Sequence, residues 1–363
     1  MKNWSYICLF LLLSGVGVQA QDVAAYVDRM GRFQYYEDGY VNQLDHQEVP
    51  KFALGGDFLI YLNSRDEVVY YRKGRKEELH LRDVFKDYTI TQFLVLNRTN
   101  KVFSAINHRR NVTLSLGHED LYEYGDSIVA FIEFNQSLKV YYDDEITVAL
   151  PNNRPVSFKV SDNSVAFINH LNALNFYKNE ELSQITDVLP INYEVGHDLV
   201  LFTDEYEEFK MWRNGEIVDL ADYPTKSYKI GDRLAAYVDD QEAFYMIDVE
   251  AMEAVEVMPV VPKFYDVIDN TLIYVDDRNY FNVYYEGKNH ILETYQPDKF
   301  EYYNGVVAYV DFDGRLKAFY EGEKVEVSTN IINSFKLFGR VILYELGNGD
   351  YTIYHKGKRF NQE

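Results

Sequence analysis

The residues able to do chemistry in this chain are chiefly carboxylates. Asp and Glu number 58 against 36 Lys and Arg, a formal net charge of −22. Paired carboxylates cleave glycosidic bonds, and clustered oxygen ligands hold divalent cations. Eleven acids crowd into four short segments: Asp204, Glu205, Glu207 and Glu208; Asp239, Asp240 and Glu242; Asp276 and Asp277; Asp311 and Asp313. Asp311-Phe312-Asp313-Gly314 opens like a calcium loop but lacks the later ligands and the distant bidentate Glu. A hairpin turn explains it better, since Asp and Gly are turn residues. The eight histidines include no i, i+4 pair of the zinc-protease kind, so no metal site is expected. There is no G-x-S-x-G elbow, P-loop or dinucleotide fingerprint. The one cysteine, Cys8, sits in an apolar N-terminal run, so no thiol chemistry is expected of the rest of the chain. No catalytic constellation and no cofactor are expected.

The elements that must position these residues follow from a repeat. Residues 264–287, 299–322 and 334–357 read FYDVIDNTLIYVDDRNYFNVYYEG, KFEYYNGVVAYVDFDGRLKAFYEG and SFKLFGRVILYELGNGDYTIYHKG. Each holds an apolar strand such as VVAYVD, a charged loop, a second strand such as LKAFYEG and a tight turn. Gly287, Gly322 and Gly357 fall 35 residues apart, as do Gly39 and Gly74, and Glu145, Glu180 and Gly215 share the same position. A tight hairpin needs positive φ, hence the glycines. Ten units result, with second strands starting near Ala24, Phe58, Phe93, Ser127, Ser164, Asp198, Arg233, Thr271, Val306 and Arg340. The first unit lacks room for an innermost strand.

Self-similarity at this period marks a solenoid, propeller or array. Four short strands per unit, with no helical periodicity, predict an all-β fold and a β-propeller of about ten four-stranded repeats of roughly 35 residues. One ring or two smaller rings both fit. Most of the 33 tyrosines recur at fixed strand positions, as in VYYRKG and VYYEG, which predicts packing between repeats. The plan resembles β-propeller repeat proteins over nearly the whole chain, without WD, kelch or Asp-box signatures.

On that fold, loops between second and third strands lie on one face and turns between third and fourth strands on the other. The eleven acids then form an arc on the first face, suited to a basic segment or to cations. Arg72, Lys73, Arg75, Lys76, Arg109 and Arg110 form a basic cluster on the opposite face, suited to an acidic partner or acting as edge-strand charge.

Lys2, the apolar run Ile7–Leu13 and small residues before Gln21 predict an export signal cleaved near Ala20, and a periplasmic or secreted protein. The apolar run is too short to span a bilayer, and no later segment is long enough. The negative charge disfavours nucleic acid. With this signal, size and fold, the chain is similar to exported propeller subunits of bacterial envelope machines, such as the plug subunit of the type IX secretion translocon. A complete repeat plan with no catalytic constellation, behind an export signal, predicts a non-enzymatic scaffold binding a protein or peptide, and the resemblance narrows this to a subunit of a secretion or envelope complex. A glycan-active hydrolase or lyase and a cation or small-ligand sensor are the competing expectations; the sequence leaves oligomeric state open.

Overall fold

The computed structural model describes residues 22–79, 88–99, 102–107, 110–116, 121–303 and 305–361. The expected export signal, its cleavage position near Ala20, Cys8 and Arg109 of the basic cluster lie outside the described residues. Among the described residues there is no helix. The strands form antiparallel meanders, each with sequence-adjacent strands paired side by side.

Seven blades of four strands span Phe52–Leu79, Tyr88–Leu116, Tyr122–Leu150, Ser157–Thr186, Asn192–Ala221, Ser227–Met258 and Phe264–Glu293, which we number blades 2 to 8. Blade 1, Val23–Asp45, has three strands among the described residues. Blades 9 and 10 share one 16-residue strand, Glu323–Phe338. Its first part pairs with Arg315–Tyr320 as the outer strand of blade 9. Its second part pairs with Val341–Leu346 as the inner strand of blade 10. The second strands begin at Val23, Leu59, Val95, Ile128, Val165, Leu199, Leu234, Thr271, Val306 and Val341, each within two residues of the sequence expectation.

The packing follows from burial. The second strand of a blade is covered on both faces by its neighbours, so it reads as a continuous apolar run. Leu199–Thr203, Leu234–Val238 and Thr271–Val275 are buried at every position. Each pair of adjacent blades shares one apolar cluster, such as Leu199, Leu201, Phe209 and Met211 of blade 6 against Ala235, Tyr237, Ile247 and Val249 of blade 7. The series closes: Ala24, Tyr26 and Tyr36 of blade 1 pack on Val341, Leu343 and Ile353 of blade 10. The ten units form one ring.

The outer strands are largely exposed, apolar groups such as Leu182, Ile217 and Val255 included, with one recurrent exception. A bulge at the start of the third strand leaves one outer-strand residue out of register, namely Leu44, Ala149, Ile185, Leu220, Val257 or Leu292 in blades 1 and 4 to 8. A bulge re-aims one side chain. Here it turns one apolar group of an otherwise exposed edge toward the interblade core. The third-to-fourth-strand turns carry two successive positive-φ residues, as in Glu286-Gly287 and Asn214-Gly215. That is the type I′ geometry implied by the glycine spacing.

Candidate functional site

Two places in the ring concentrate charge. The first is the face built from second-to-third-strand loops. These are five-residue loops whose fourth residue has positive φ, for example Glu207, Glu242, Asn279 and Gly314. The first residue of each ties the loop shut. Asp204 accepts from the backbone of Tyr206 (2.9 Å) and Glu208 (3.0 Å). Asp239 accepts from Ala243 (2.8 Å), and Asp276 from Tyr280 (2.7 Å). Asp311 accepts from Asp313 and Arg315, both at 2.9 Å. Asn63 and Asn169 do the same in blades 2 and 5. Lysines add to this. Lys210 bridges Asp204 (2.9 Å) and Glu208 (2.7 Å), and Lys317 bridges Asp311 (3.2 Å). Burial alone would raise the Asp204 and Asp311 carboxyls, but these hydrogen bonds hold both below the usual range.

Six of the eleven arc acids, Asp204, Glu208, Asp239, Glu242, Asp276 and Asp311, are therefore occupied in building the loops or pairing a lysine. Glu242 pairs with Lys226 at 2.9 Å, and the exposed remainder is Glu205, Glu207, Asp240, Asp277 and Asp313. The second-to-third-strand loops also carry exposed apolar tips: Phe134 (94% exposed), Leu171 (70%) and Tyr206 (75%) on the successive blades 4, 5 and 6, with Phe312 (91%) and Met30 (77%) standing apart on blades 9 and 1. Val156, Leu189 and Ile191 are exposed on the interblade connections of the same face.

The basic cluster on the opposite face is largely spoken for. Arg72 donates to Asp57 through Nε at 2.7 Å, and Lys76 donates to the Leu44 carbonyl at 2.8 Å. Arg110 lies on Asp144, in the neighbouring blade (3.8 Å). Lys73 and Arg75 remain exposed at the blade 2 turn.

The second concentration was missed in the sequence. Turns between first and second strands converge on the ring axis around a cavity of about 820 Å³, lined by Asp22, Asp126, Asp162, His197, Asp232 and Asp269 together with Tyr303 and Arg340. Asp126, Asp162, His197, Asp232 and Asp269 occupy one turn position in blades 4 to 8. A residue of small size precedes most of them because neighbouring turns nearly touch. A Cβ on Gly125 would lie 1.8 Å from the Ser161 carbonyl oxygen, and one on Gly231 would lie 2.6 Å from that of Asp269. Backbone and hydroxyl bonds stitch turn to turn, as in Ser127 Oγ to the Asp162 carbonyl (2.8 Å) and Ser164 Oγ to that of Gly196 (3.0 Å).

Crowding like charges at this rim shifts them. Burial, then Asp232, Asp162 and Asp126, pushes the Asp269 carboxyl up to about 7. Burial and Asp232 raise Asp162, which hydrogen-bonds Asp232, while His197 partly offsets the rise. Burial and then Asp162 raise Asp126. Asp22 differs: burial would raise it, but hydrogen bonds from His355 and Arg340 bring it below the usual range. Its partners are Arg340 NH2 (2.9 Å) and His355 Nε2 (3.1 Å), and His355 Nδ1 meets the Tyr36 hydroxyl at 2.8 Å. This buried network sits at the seam between blades 10 and 1. Ligand atoms of Asp162, His197 and Asp232 lie within 4.8 Å of one another.

Ten meandering blades closed about a charged mouth define a β-propeller. The chain belongs to the family of the 10-bladed beta propeller domain, which it matches over residues 17–360. No curated protein sequence matches it. Among solved structures it is similar to PorZ, a surface component of the type IX secretion system of Porphyromonas gingivalis (10% identity, 95% of this chain and 52% of that one, TM-score 0.31). It is also similar to the tricorn protease (10%, 93% and 46%, TM-score 0.36) and to the CRINKLY WD40 ectodomain of the Arabidopsis thaliana receptor kinase ACR4 (9%, 74% and 92%, TM-score 0.37). The chain spans about half the length of PorZ and of the tricorn protease. At these identities the likeness is one of fold alone.

Proposed function

We propose that this protein is a non-enzymatic scaffold of the bacterial envelope that receives a protein segment on its second-to-third-strand loop face, over blades 4 to 6. The observation that carries this reading is the row of exposed apolar tips Phe134, Leu171 and Tyr206, each mounted on a loop locked by its own hydrogen bonds. Contiguous exposed apolar groups rimmed by charge mark recognition surfaces. Glu205 and Glu207 flank Tyr206, and the whole chain is acidic, so the segment it suits is apolar and basic. Rigid tips lose little freedom on binding, which favours affinity. The predicted export signal supports a place in the periplasm or outside the cell, and a subunit role in an envelope or secretion complex is the finer form of the proposal.

The test is co-purification from native envelopes of wild type, of a Phe134→Ser/Leu171→Ser/Tyr206→Ser triple variant, and of a Lys73→Glu/Arg75→Glu variant on the opposite face. The expected result is one stoichiometric partner, kept by the charge variant and lost by the triple variant. A partner kept by all three, or wild type recovered alone, overturns the proposal.

The raised carboxyls of Asp162 and Asp269 favour a second reading, a glycan-active hydrolase, because a carboxyl lifted toward neutrality is a general-acid candidate. Turnover of a glycan by wild type, abolished in Asp162→Asn, would replace the scaffold reading. Asp239 and Asp276 are unsuited to that test, being loop anchors.

A further inference from the structure

We propose that Asp162, His197 and Asp232 form a binding site for one divalent transition-metal ion at the mouth of the ring. The three come from equivalent turns of the successive blades 5, 6 and 7, and ring curvature aims them at one point. Their ligand atoms lie within 4.8 Å of one another. An ion with bonds of about 2.1 Å holds its ligands roughly 3 to 4.2 Å apart, so small side-chain rotations complete the set.

The histidine is prepared for the task. With the Asn163 amide turned to satisfy both its ends, its oxygen accepts from His197 Nε2 (3.2 Å) and Lys178 Nζ (3.1 Å), and its nitrogen donates to the His197 carbonyl (2.8 Å). That places the ring proton on Nε2 and leaves Nδ1 with a free lone pair. Nδ1 is shielded from solvent and has no hydrogen-bond partner. A ligating imidazole held by a hydrogen bond at its other nitrogen is the usual arrangement of a metal site. The nearby cation, Lys178, is committed to Asp198.

The ligand set selects the ion. Calcium and magnesium take oxygen donors, whereas an imidazole beside two carboxylates suits zinc, manganese or iron(II). Three protein ligands leave coordination positions open toward the cavity, for water or for a donor atom from a bound partner. This site lies on the face opposite the apolar loop tips, so its failure would leave the scaffold reading intact.

The experiment is titration of chelator-stripped protein with zinc, manganese and calcium chlorides, read by calorimetry and thermal melting, with wild type, His197→Ala, Asp232→Asn, Asn163→Ala and Asp269→Asn. Circular dichroism of each apo variant checks folding. Wild type is expected to bind one equivalent of zinc and to melt higher with it. His197→Ala and Asp232→Asn should lose at least tenfold in affinity, and Asn163→Ala several-fold with stoichiometry unchanged. Asp269→Asn, an equal change in charge outside the triad, should stay within about threefold. Binding that falls equally in Asp269→Asn, that vanishes in 0.5 M salt, or that favours calcium over zinc would reduce the mouth to diffuse charge and overturn the proposal, as would no saturable binding.

Discussion

Aspartates of the loop face and aspartates of the ring mouth share a residue type and differ in nearly everything else. On the loop face each anchoring Asp meets backbone N–H groups and, at Asp204 and Asp311, a lysine. Its charge is consumed in holding a turn, and those two carboxyls are held low. At the mouth burial, and after it the neighbouring carboxylates, raises Asp126, Asp162 and Asp269. Asp22 shows that location alone is not the cause. It lines the same cavity, yet Arg340 and His355 face it and hold it low. A carboxylate opposite donors serves the fold and is held low; a carboxylate buried among carboxylates is pushed above its usual range.

The largest expected effect comes from removing the exception. Asp22 is 6% exposed, and Asp22→Ala strands Arg340 and His355 at the seam between the last blade and the first. Breaking a buried pair by deleting one partner costs about 3–5 kcal/mol. Urea unfolding should show a loss of that size; a loss below 1 kcal/mol would mean that apolar packing alone closes the ring.

Next comes a loop anchor. Asp311→Ala removes a charged acceptor from two backbone donors and from Lys317, and should cost about 2 kcal/mol. The same assay on Asp311→Asn, which keeps one acceptor, should show about half the loss. Equal losses would assign the effect to charge rather than to the turn.

The smallest effect has the opposite sign. Asp269 is raised in the folded state, so its contribution to stability is full below about pH 4 and is lost as pH rises through 7. Asp269→Asn should therefore stabilise the protein by about 1.5 kcal/mol at pH 8, solvent screening having cut the full effect of the shift, and by about a third of that at pH 5. Asn also tolerates the positive φ of this position, 50°. Thermal melts at the two pH values check this. Wild type should melt lower at pH 8 than at pH 5.5, while Asp22, Asp204 and Asp311, all held low, lose their contribution only as pH falls below about 4.

The repeat was legible in the chain because burial on both faces forces runs such as VVAYV and LAAYV, and because positive-φ turns force glycine or asparagine at a fixed interval. The acids of the loop face were legible as a pattern but not as anchors: an Asp that accepts two N–H bonds and an Asp in water look alike in one dimension. The mouth left a trace too, a column of Asp126, Asp162, His197, Asp232 and Asp269 just before the second strands. Its meaning stayed hidden because these residues stand about 35 apart along the chain, and only curvature of the ring makes them neighbours.

What the amino-acid order determined alone was local: strand length, turn type, the number of units and the face each loop occupies, all set by interactions within a few residues. What only the tertiary structure decided was which charges meet. Asp22 finds His355 across 333 residues, and Asp162 finds Asp232 across a blade that separates them in sequence. Whether a carboxylate ends as a turn anchor, a seam or a ligand depends on the partner across that closure, since the free energy of a buried charge is fixed by what faces it.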